Sequence, residues 1–197
     1  IHESAGDFAR ALSAYERAVS AAEVAADTEF LANALYQRGW LRGMQGEYAL
    51  GLADMRRSLA LYEQTEMPEH SRTALNGLAS IYNRMGDYAQ AQRYLGEASK
   101  AQLAAGLERE AVVSLYNLGR THENLGQWDE AQRTHAQALE IGRKIGYARG
   151  QAYSERGLAE VHNARGEWGK ALERLARAEK AAGDLPDARL RAHIALA

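Results

Sequence analysis

Histidine is the residue type in this chain best suited to chemistry near neutral pH, either as an acid–base group or as a metal ligand. His122 and His162 lie forty residues apart, and His135 lies between them. The residues forty and eighty places before His122 are Tyr82 and Arg42. Because a column of metal ligands would not also hold an arginine, we interpret His122 and His162 as packing residues that each make a hydrogen bond.

Other catalytic and cofactor-binding patterns are missing from the sequence. There is no HExxH zinc motif, no GxSxG nucleophile turn, no P-loop and no Rossmann fingerprint. The chain has no cysteine, which excludes disulfides and thiolate zinc sites. We therefore expect that this chain is not an enzyme and that it holds no metal and no cofactor.

Composition restricts the class of partner. The 24 lysines and arginines balance 26 acidic residues, and no basic patch predicts direct binding to nucleic acid. No apolar run approaches the roughly 18 residues of a membrane span, so we expect no membrane insertion.

Alanine, leucine, glutamate and arginine dominate, with two prolines and no alternating strand pattern, which predicts an all-helical protein. Because the chain begins at Ile1 rather than methionine, we expect it to be a piece of a longer protein.

A glycine recurs every forty residues and is followed two places later by an aromatic residue. The five pairs are Gly6 and Phe8, Gly46 and Tyr48, Gly86 and Tyr88, Gly126 and Trp128, and Gly166 and Trp168. Such a fixed period indicates an array of structural repeats. We predict that each glycine ends one helix in the left-handed conformation and that the aromatic residue locks the next helix against it.

Small residues recur at fixed distances from these glycines. Seven places before the glycine stand Gly39, Ala79, Gly119 and Ala159, and five places after it stand Ala11, Gly51, Ala91, Ala131 and Ala171. Small residues on both helices of a pair allow their backbones to approach closely. The pattern predicts tightly packed helical hairpins.

The Gly-x-aromatic turn with its columns of small residues resembles the tetratricopeptide repeat family over nearly the whole chain. The resemblance implies an all-α fold, a right-handed superhelical solenoid of antiparallel helix hairpins. Two features depart from the common pattern: the closing proline is missing, and the period is forty where about 34 is usual. We interpret the chain as a long-helix variant. HEAT and armadillo arrays also have periods near forty, but they lack this turn.

The repeat divides the chain into a partial repeat (1–26), four full repeats (27–66, 67–106, 107–146 and 147–185) and the start of a further helix (186–197). First helices are predicted near 28–44, 68–84, 107–124 and 147–164. Second helices are predicted near 7–26, 47–64, 87–105, 127–145 and 167–182. Pro186 opens the final helix, and its Leu190, Ile194 and Leu196 form an apolar face that we interpret as unfinished.

In this family the first helix of each pair lines the concave groove, so the resemblance implies that ligand-binding residues lie there. In the fourth unit, Leu115, Leu118 and His122 mark the core face of that helix, and the residues opposite them are groove candidates. The predicted groove residues are Asn33, Tyr36, Gln37, Trp40, Thr73, Asn76, Ser80, Asn83, Arg84, Tyr116, Asn117, Arg120, Glu123, Asn124, Tyr153, Arg156, Glu160 and Asn163.

This predicted surface is rich in asparagine, tyrosine and arginine. Asparagine both donates and accepts hydrogen bonds, as an extended peptide backbone requires, and aromatic residues and arginine anchor many interfaces. Trp40 is either a ligand anchor or packs against a neighbouring helix. All four lysines lie on second helices, and Glu123 and Glu160 offset the groove arginines. The resemblance to receptors for acidic C-terminal tails is therefore weak.

Arg38 and Arg42 occupy core-facing positions in the second unit, where a buried guanidinium needs a partner. Either Asp54 or Glu47 supplies it, or the two side chains extend out to solvent. Both alternatives fit the sequence.

These observations predict a binding protein. The leading hypothesis is a scaffold that grips a protein or peptide segment in its concave groove, as the sensory or regulatory module of a larger bacterial signalling protein. The alternative is a structural module that self-associates, for example as a homodimer, and has no peptide ligand.

Overall fold

The computed structural model describes the backbone of residues 2–183 and the side chains of residues 7–183. The predicted helix from Pro186 lies outside the described residues. Within them the chain forms nine α-helices, which are α1 (His2–Ala25), α2 (Thr28–Gln45), α3 (Tyr48–Gln64), α4 (Pro68–Met85), α5 (Tyr88–Ala104), α6 (Glu108–Asn124), α7 (Trp128–Lys144), α8 (Ala148–Ala164) and α9 (Trp168–Ala182). Helices α2 to α9 agree with the predicted bounds to within one residue.

The glycine turns are confirmed at four of the five repeats. Gly46 and Gly86 cap α2 and α4 with φ angles of 90° and 86°, a conformation that costs glycine little. Gly6 is the exception, because α1 runs through it from His2 to Ala25. The turn predicted at Gly6 is therefore wrong.

A second set of left-handed turns links one repeat to the next. Gly106 and Gly146 adopt positive φ angles there, and Ala26 and Glu66 do so with φ angles of 54° and 55°. Non-glycine residues rarely adopt this conformation because Cβ lies too close to the following carbonyl oxygen. The turn geometry therefore repeats every forty residues even where the residue type does not.

The aromatic residue that follows each glycine packs less uniformly than predicted. Tyr48 and Tyr88 are half-buried, whereas Trp168 is 67% exposed. The expectation that the aromatic residue locks the hairpin is wrong at Trp168. Within residues 7–183, no helix follows α9 to cover this ring.

The helices form two compact units, one up to Tyr94 and one from Leu95, with the boundary inside α5. In the first unit α1 packs on α2, α2 on α3 and α3 on α4. Its core includes the fully buried Leu35, Met55 and Ile81. The predicted close approach of small residues is confirmed, since a Cβ at Gly39 would lie 2.9 Å from the carbonyl oxygen of Gly51.

In the second unit α6 packs on α7, α7 on α8 and α8 on α9. The two first helices, α6 and α8, also contact each other directly. Val112, His135 and Val161 are fully buried between these helices. The pairing of α6 with α8 creates the surface on which the predicted groove residues of this unit lie.

Candidate functional site

The eighteen predicted groove residues lie on the first helices α2, α4, α6 and α8. All of them are half-buried or exposed, and none is fully buried. Periodicity therefore separated the core face of each first helix from the accessible face. Whether these residues bind a ligand remains a prediction.

In the second unit a cavity of about 370 Å³ lies between α6 and α8, and we call it the α6–α8 cavity. Its lining residues are Val112, Val113, Tyr116, Asn117, Arg120, Tyr147, Arg149, Gly150 and Tyr153. Four of the predicted groove residues meet here: Tyr116, Asn117, Arg120 and Tyr153. The cavity is large enough for one or two side chains of a ligand and lies in the size range of small-ligand pockets.

Tyr116 is held rigidly in the wall of this cavity. Its ring lies 5.0 Å from the ring of Tyr153 and 5.6 Å from that of His135, both in tilted geometry. Its hydroxyl oxygen accepts a hydrogen bond of 2.7 Å from Nη2 of Arg156. Nη1 of Arg156 lies 3.3 Å from Oε1 of Glu160. Arg156 therefore bridges the Tyr116 hydroxyl and the Glu160 carboxylate, and the charges of Arg156 and Glu160 largely compensate each other.

His135 supports Tyr116 from beneath. The ring is fully buried, and its Nε2 lies 2.8 Å from Oε1 of Glu123. The ring of His135 lies between α6 and α8 against two glycines, Gly119 on α6 and Gly157 on α8. A Cβ at Gly119 would lie 2.6 Å from Nε2 of His135, and a Cβ at Gly157 would lie 2.5 Å from the same atom. His135 Nδ1 is buried without a hydrogen-bond partner. The imidazole thus acts as a wedge that fixes the spacing of the two first helices.

The positive charge of the groove arginines is only partly compensated. Glu123 and Glu160 were expected to offset these arginines, and Glu160 pairs with Arg156 as expected, whereas the carboxylate of Glu123 contacts His135. The charged residues that line the cavity are both arginines. One of them, Arg120, is exposed, and among residues 7–183 it has no hydrogen bond or ion pair.

Five lining residues are not among the eighteen predicted groove residues, and two of them, Val112 and Val113, lie on α6. Tyr147, Arg149 and Gly150 lie at the start of α8, where the helix approaches α6. A Cβ at Gly150 would lie 2.6 Å from Cγ1 of Val112, so the absence of a side chain allows this approach. A signal was present in the sequence, because Tyr147 continues a column of large apolar residues through Leu107.

In the first unit, several predicted groove residues are engaged in the structure itself. Oδ1 of Asn33 accepts a hydrogen bond of 3.0 Å from the Tyr62 hydroxyl. Nη2 of Arg84 donates to the carbonyl oxygen of Met44 at 3.2 Å. Burial raises the pKa of Tyr36, which is half-buried. Trp40 is 37% exposed and accessible on the same face.

A comparison with protein-family models gives a match to the tetratricopeptide repeat model over residues 43–104 and 110–184. The chain belongs to the tetratricopeptide repeat family. No curated protein matches the chain in sequence.

Solved tetratricopeptide-like structures share this fold at low sequence identity. The crystal structure of BtubC (BKLC) from P. vanneervenii is 19% identical with a TM-score of 0.78, covering 92% of this chain and 76% of BtubC. A Rap protein complexed with Competence and Sporulation Factor is 17% identical with a TM-score of 0.78. YrrB, a TPR protein with an unusual peptide-binding site, is 20% identical with a TM-score of 0.61.

The chain covers these proteins to different extents. The Rap match includes 97% of this chain but only 54% of the Rap protein, whereas the YrrB match includes 99% and 87%. The likeness confirms the predicted all-α solenoid of helix hairpins. At these identities it establishes the fold alone.

The two histidines in the repeat column pack as predicted. His122 and His162 are each 7% exposed. Nδ1 of His122 lies 2.7 Å from Oε1 of Gln127, and Nδ1 of His162 lies 2.6 Å from Oε2 of Glu167. The hydrogen bond with His162, supported by Lys170, lowers the pKa of Glu167. Both histidines join the end of a first helix to the turn that follows it.

Other features bear on metal and membrane binding. Among the described residues no group of three or more His, Asp or Glu side chains is arranged to hold a metal ion. A search of the same residues finds no helix with the length and apolarity of a membrane span.

The alternatives for Arg38 and Arg42 are resolved by Asp54, which is 6% exposed. Nε and Nη2 of Arg38 donate to its two carboxylate oxygens at 2.8 and 2.7 Å, and Nη1 of Arg42 donates to Oδ2 at 2.8 Å. Glu47 is a weaker partner, at 3.8 Å from Nε of Arg42. The two arginines are therefore structural.

A similar arrangement in the second unit was not predicted. Glu155 is 2% exposed and stands where the corresponding residues of the earlier repeats are leucines. Nη2 of Arg143 and Nη1 of Arg174 donate to its two carboxylate oxygens at 2.7 and 2.9 Å. The break in the leucine column was the available signal, but it did not name the partners.

Proposed function

We propose that this chain is a scaffold that binds a peptide or protein segment on the face formed by its first helices, without a reaction of its own. It serves as the sensory or regulatory module of a larger bacterial signalling protein. The observation that carries the proposal is the α6–α8 cavity, where aromatic, polar and charged side chains converge on a space the chain leaves unfilled.

The chemistry of the lining suits a polypeptide ligand. Tyr116 and Tyr153 offer apolar ring surface, and their positions are fixed by neighbouring side chains. The half-buried Asn117 provides an amide that can donate to and accept from a peptide main chain. Fixed aromatic rings bind at a low cost in conformational entropy.

Two proteins with the same fold support the proposal. YrrB has a peptide-binding site by its description, and the Rap protein was solved in complex with Competence and Sporulation Factor. Proteins with this architecture therefore hold other molecules.

The proposal is tested by screening the chain against a library of peptides with blocked termini. The dissociation constants of the best binders are then measured by isothermal titration calorimetry. Combining Val113→Ser with Asn117→Ala removes apolar surface and an amide from the cavity, and we expect about a tenfold loss of affinity.

The matched control is Val24→Ser on α1, since Val24 is also exposed and lies outside the cavity. Circular dichroism verifies that each variant folds. Unchanged affinity in the double variant would show that the cavity is not the binding site.

Self-association is a second candidate function, favoured by a specific apolar surface. Trp168 and Leu172 lie one turn apart on α9, and each is 67% exposed. Two large apolar side chains on one face suit contact with a second copy of the chain. Sedimentation velocity separates the candidates, because this function requires a concentration-dependent dimer that Leu172→Gln dissociates and Leu50→Gln leaves intact.

A further inference from the structure

We propose that the α6–α8 cavity recognises an acidic side chain and an apolar side chain two residues apart in an extended segment of a partner protein. This inference rests on the proposed function and specifies its ligand. The acidic side chain pairs with Arg120, and the apolar side chain packs on Tyr116 and Tyr153.

Arg120 provides the charge complementarity. It lines the cavity and is exposed, and it makes no hydrogen bond or ion pair with residues 7–183. The two carboxylates among the predicted groove residues of this unit are engaged elsewhere, Glu123 with His135 and Glu160 with Arg156. A guanidinium in this position binds a carboxylate through two parallel hydrogen bonds. The cavity therefore favours an anionic group on the ligand.

Tyr116, Tyr153 and Val113 form an apolar part of the cavity wall. The rings of Tyr116 and Tyr153 meet at 5.0 Å, and Val113 beside them is 45% exposed. The Tyr116 hydroxyl is already bonded to Arg156, so the ring presents a fixed surface. Burial of an aliphatic or aromatic side chain of the ligand against this surface is favourable for binding.

The spacing follows from helix and strand geometry. Tyr116 and Arg120 are four residues apart on α6, which places them on one face about 6 Å apart along the axis. In an extended peptide the side chains of residues i and i+2 point to the same side, about 6.6 Å apart. An extended segment lying along α6 can therefore place an acidic side chain at Arg120 and an apolar side chain at Tyr116 when one residue separates the two.

The inference is tested with acetylated and amidated eight-residue peptides of glycine and serine that carry one Glu and one Phe. The separation between Glu and Phe varies from one to four positions in both orders, and the dissociation constant of each peptide is measured by fluorescence anisotropy. We expect tightest binding at a separation of two. For that peptide we expect Arg120→Gln to weaken binding about three- to tenfold, between the values typical of exposed ion pairs and charged hydrogen bonds.

A double-mutant cycle identifies the contact. Arg120→Gln should have no effect on a peptide whose Glu is replaced by Gln, whereas Arg133→Gln, on the exposed side of α7, should leave both affinities unchanged. Additive effects, or no dependence on separation, would overturn the inference while leaving the proposed function in place. Preference for a peptide with a free C-terminal carboxylate and no Glu would also overturn it. A lack of binding by every peptide in this set and in the library would overturn both.

Discussion

Replacing Gly157 with alanine places a methyl group in the space that the His135 ring occupies. The new Cβ would lie 2.5 Å from both Nε2 and Cε1 of His135, and the ring is fully buried and cannot turn into solvent. The ring must shift, which costs about 1–3 kcal/mol for overpacking. The shift also breaks the hydrogen bond to Glu123, which costs a further 1.5–3 kcal/mol or so.

Helix propensity opposes this loss, because alanine is about 1 kcal/mol better than glycine within a helix. The expected net destabilisation of Gly157→Ala is therefore about 1.5–5 kcal/mol, measured by urea denaturation. The matched control is Gly96→Ala in α5, where a Cβ would meet nothing within 4 Å. That variant should be stabilised by about 1 kcal/mol.

A second variant tests the cause of the effect. In a His135→Ala background the space beside Gly157 is empty, so Gly157→Ala should become neutral or stabilising. If Gly157→Ala is as stable as the wild type, or destabilises equally with and without the imidazole, the wedge explanation is incorrect.

Three further predictions concern other parts of the chain. Glu66→Gly relieves an unfavourable positive φ and should raise the free energy of unfolding by about 1 kcal/mol, as measured by urea denaturation. Asp54→Asn leaves the Arg38 guanidinium without its buried carboxylate and should lower that free energy by about 3 kcal/mol in the same assay. The pKa of Glu167 is lowered from its ordinary value of 4.5 by the hydrogen bond with His162, so a carboxyl NMR titration should give a midpoint below 4.5. The stability that this ionised group contributes is fully present above pH 4.5 and is lost as the pH falls through the lowered pKa.

Each of these predictions has a control. Glu63→Gly places the glycine within α3 and should destabilise, so equal effects of the two glycines would contradict the turn argument. Glu47→Gln removes the weaker carboxylate partner and should have a small effect compared with Asp54→Asn. In His162→Phe the midpoint of Glu167 should rise, and an unchanged midpoint would contradict the assigned cause.

The repeat period made most of the fold predictable from the sequence. Gly46 and Gly86 fix the turns because glycine readily adopts positive φ, and the helix bounds follow from them. The prediction failed at Gly6, where α1 continues through the glycine. The turn at Glu66 was not predicted, because glutamate is not a residue type that favours a positive φ angle.

The candidate site was predictable only in part, for a physical reason. The period of a single helix places Tyr116 and Arg120 on the accessible face of α6. Which residues of α8 meet them depends on how closely the two helices approach, and that is set by Gly150 against Val112. Such contacts form between two helices, so the periodicity of either helix alone does not predict them.

We propose that a peptide ligand occupies the α6–α8 cavity, and a titration of the ¹⁵N-labelled chain with the tightest peptide of the set, followed by two-dimensional NMR, tests this. We predict that the largest changes in chemical shift fall on Tyr116, Arg120, Gly150 and Tyr153. Changes that fall instead around Trp168 and Leu172 on α9, or no changes at all, would contradict it.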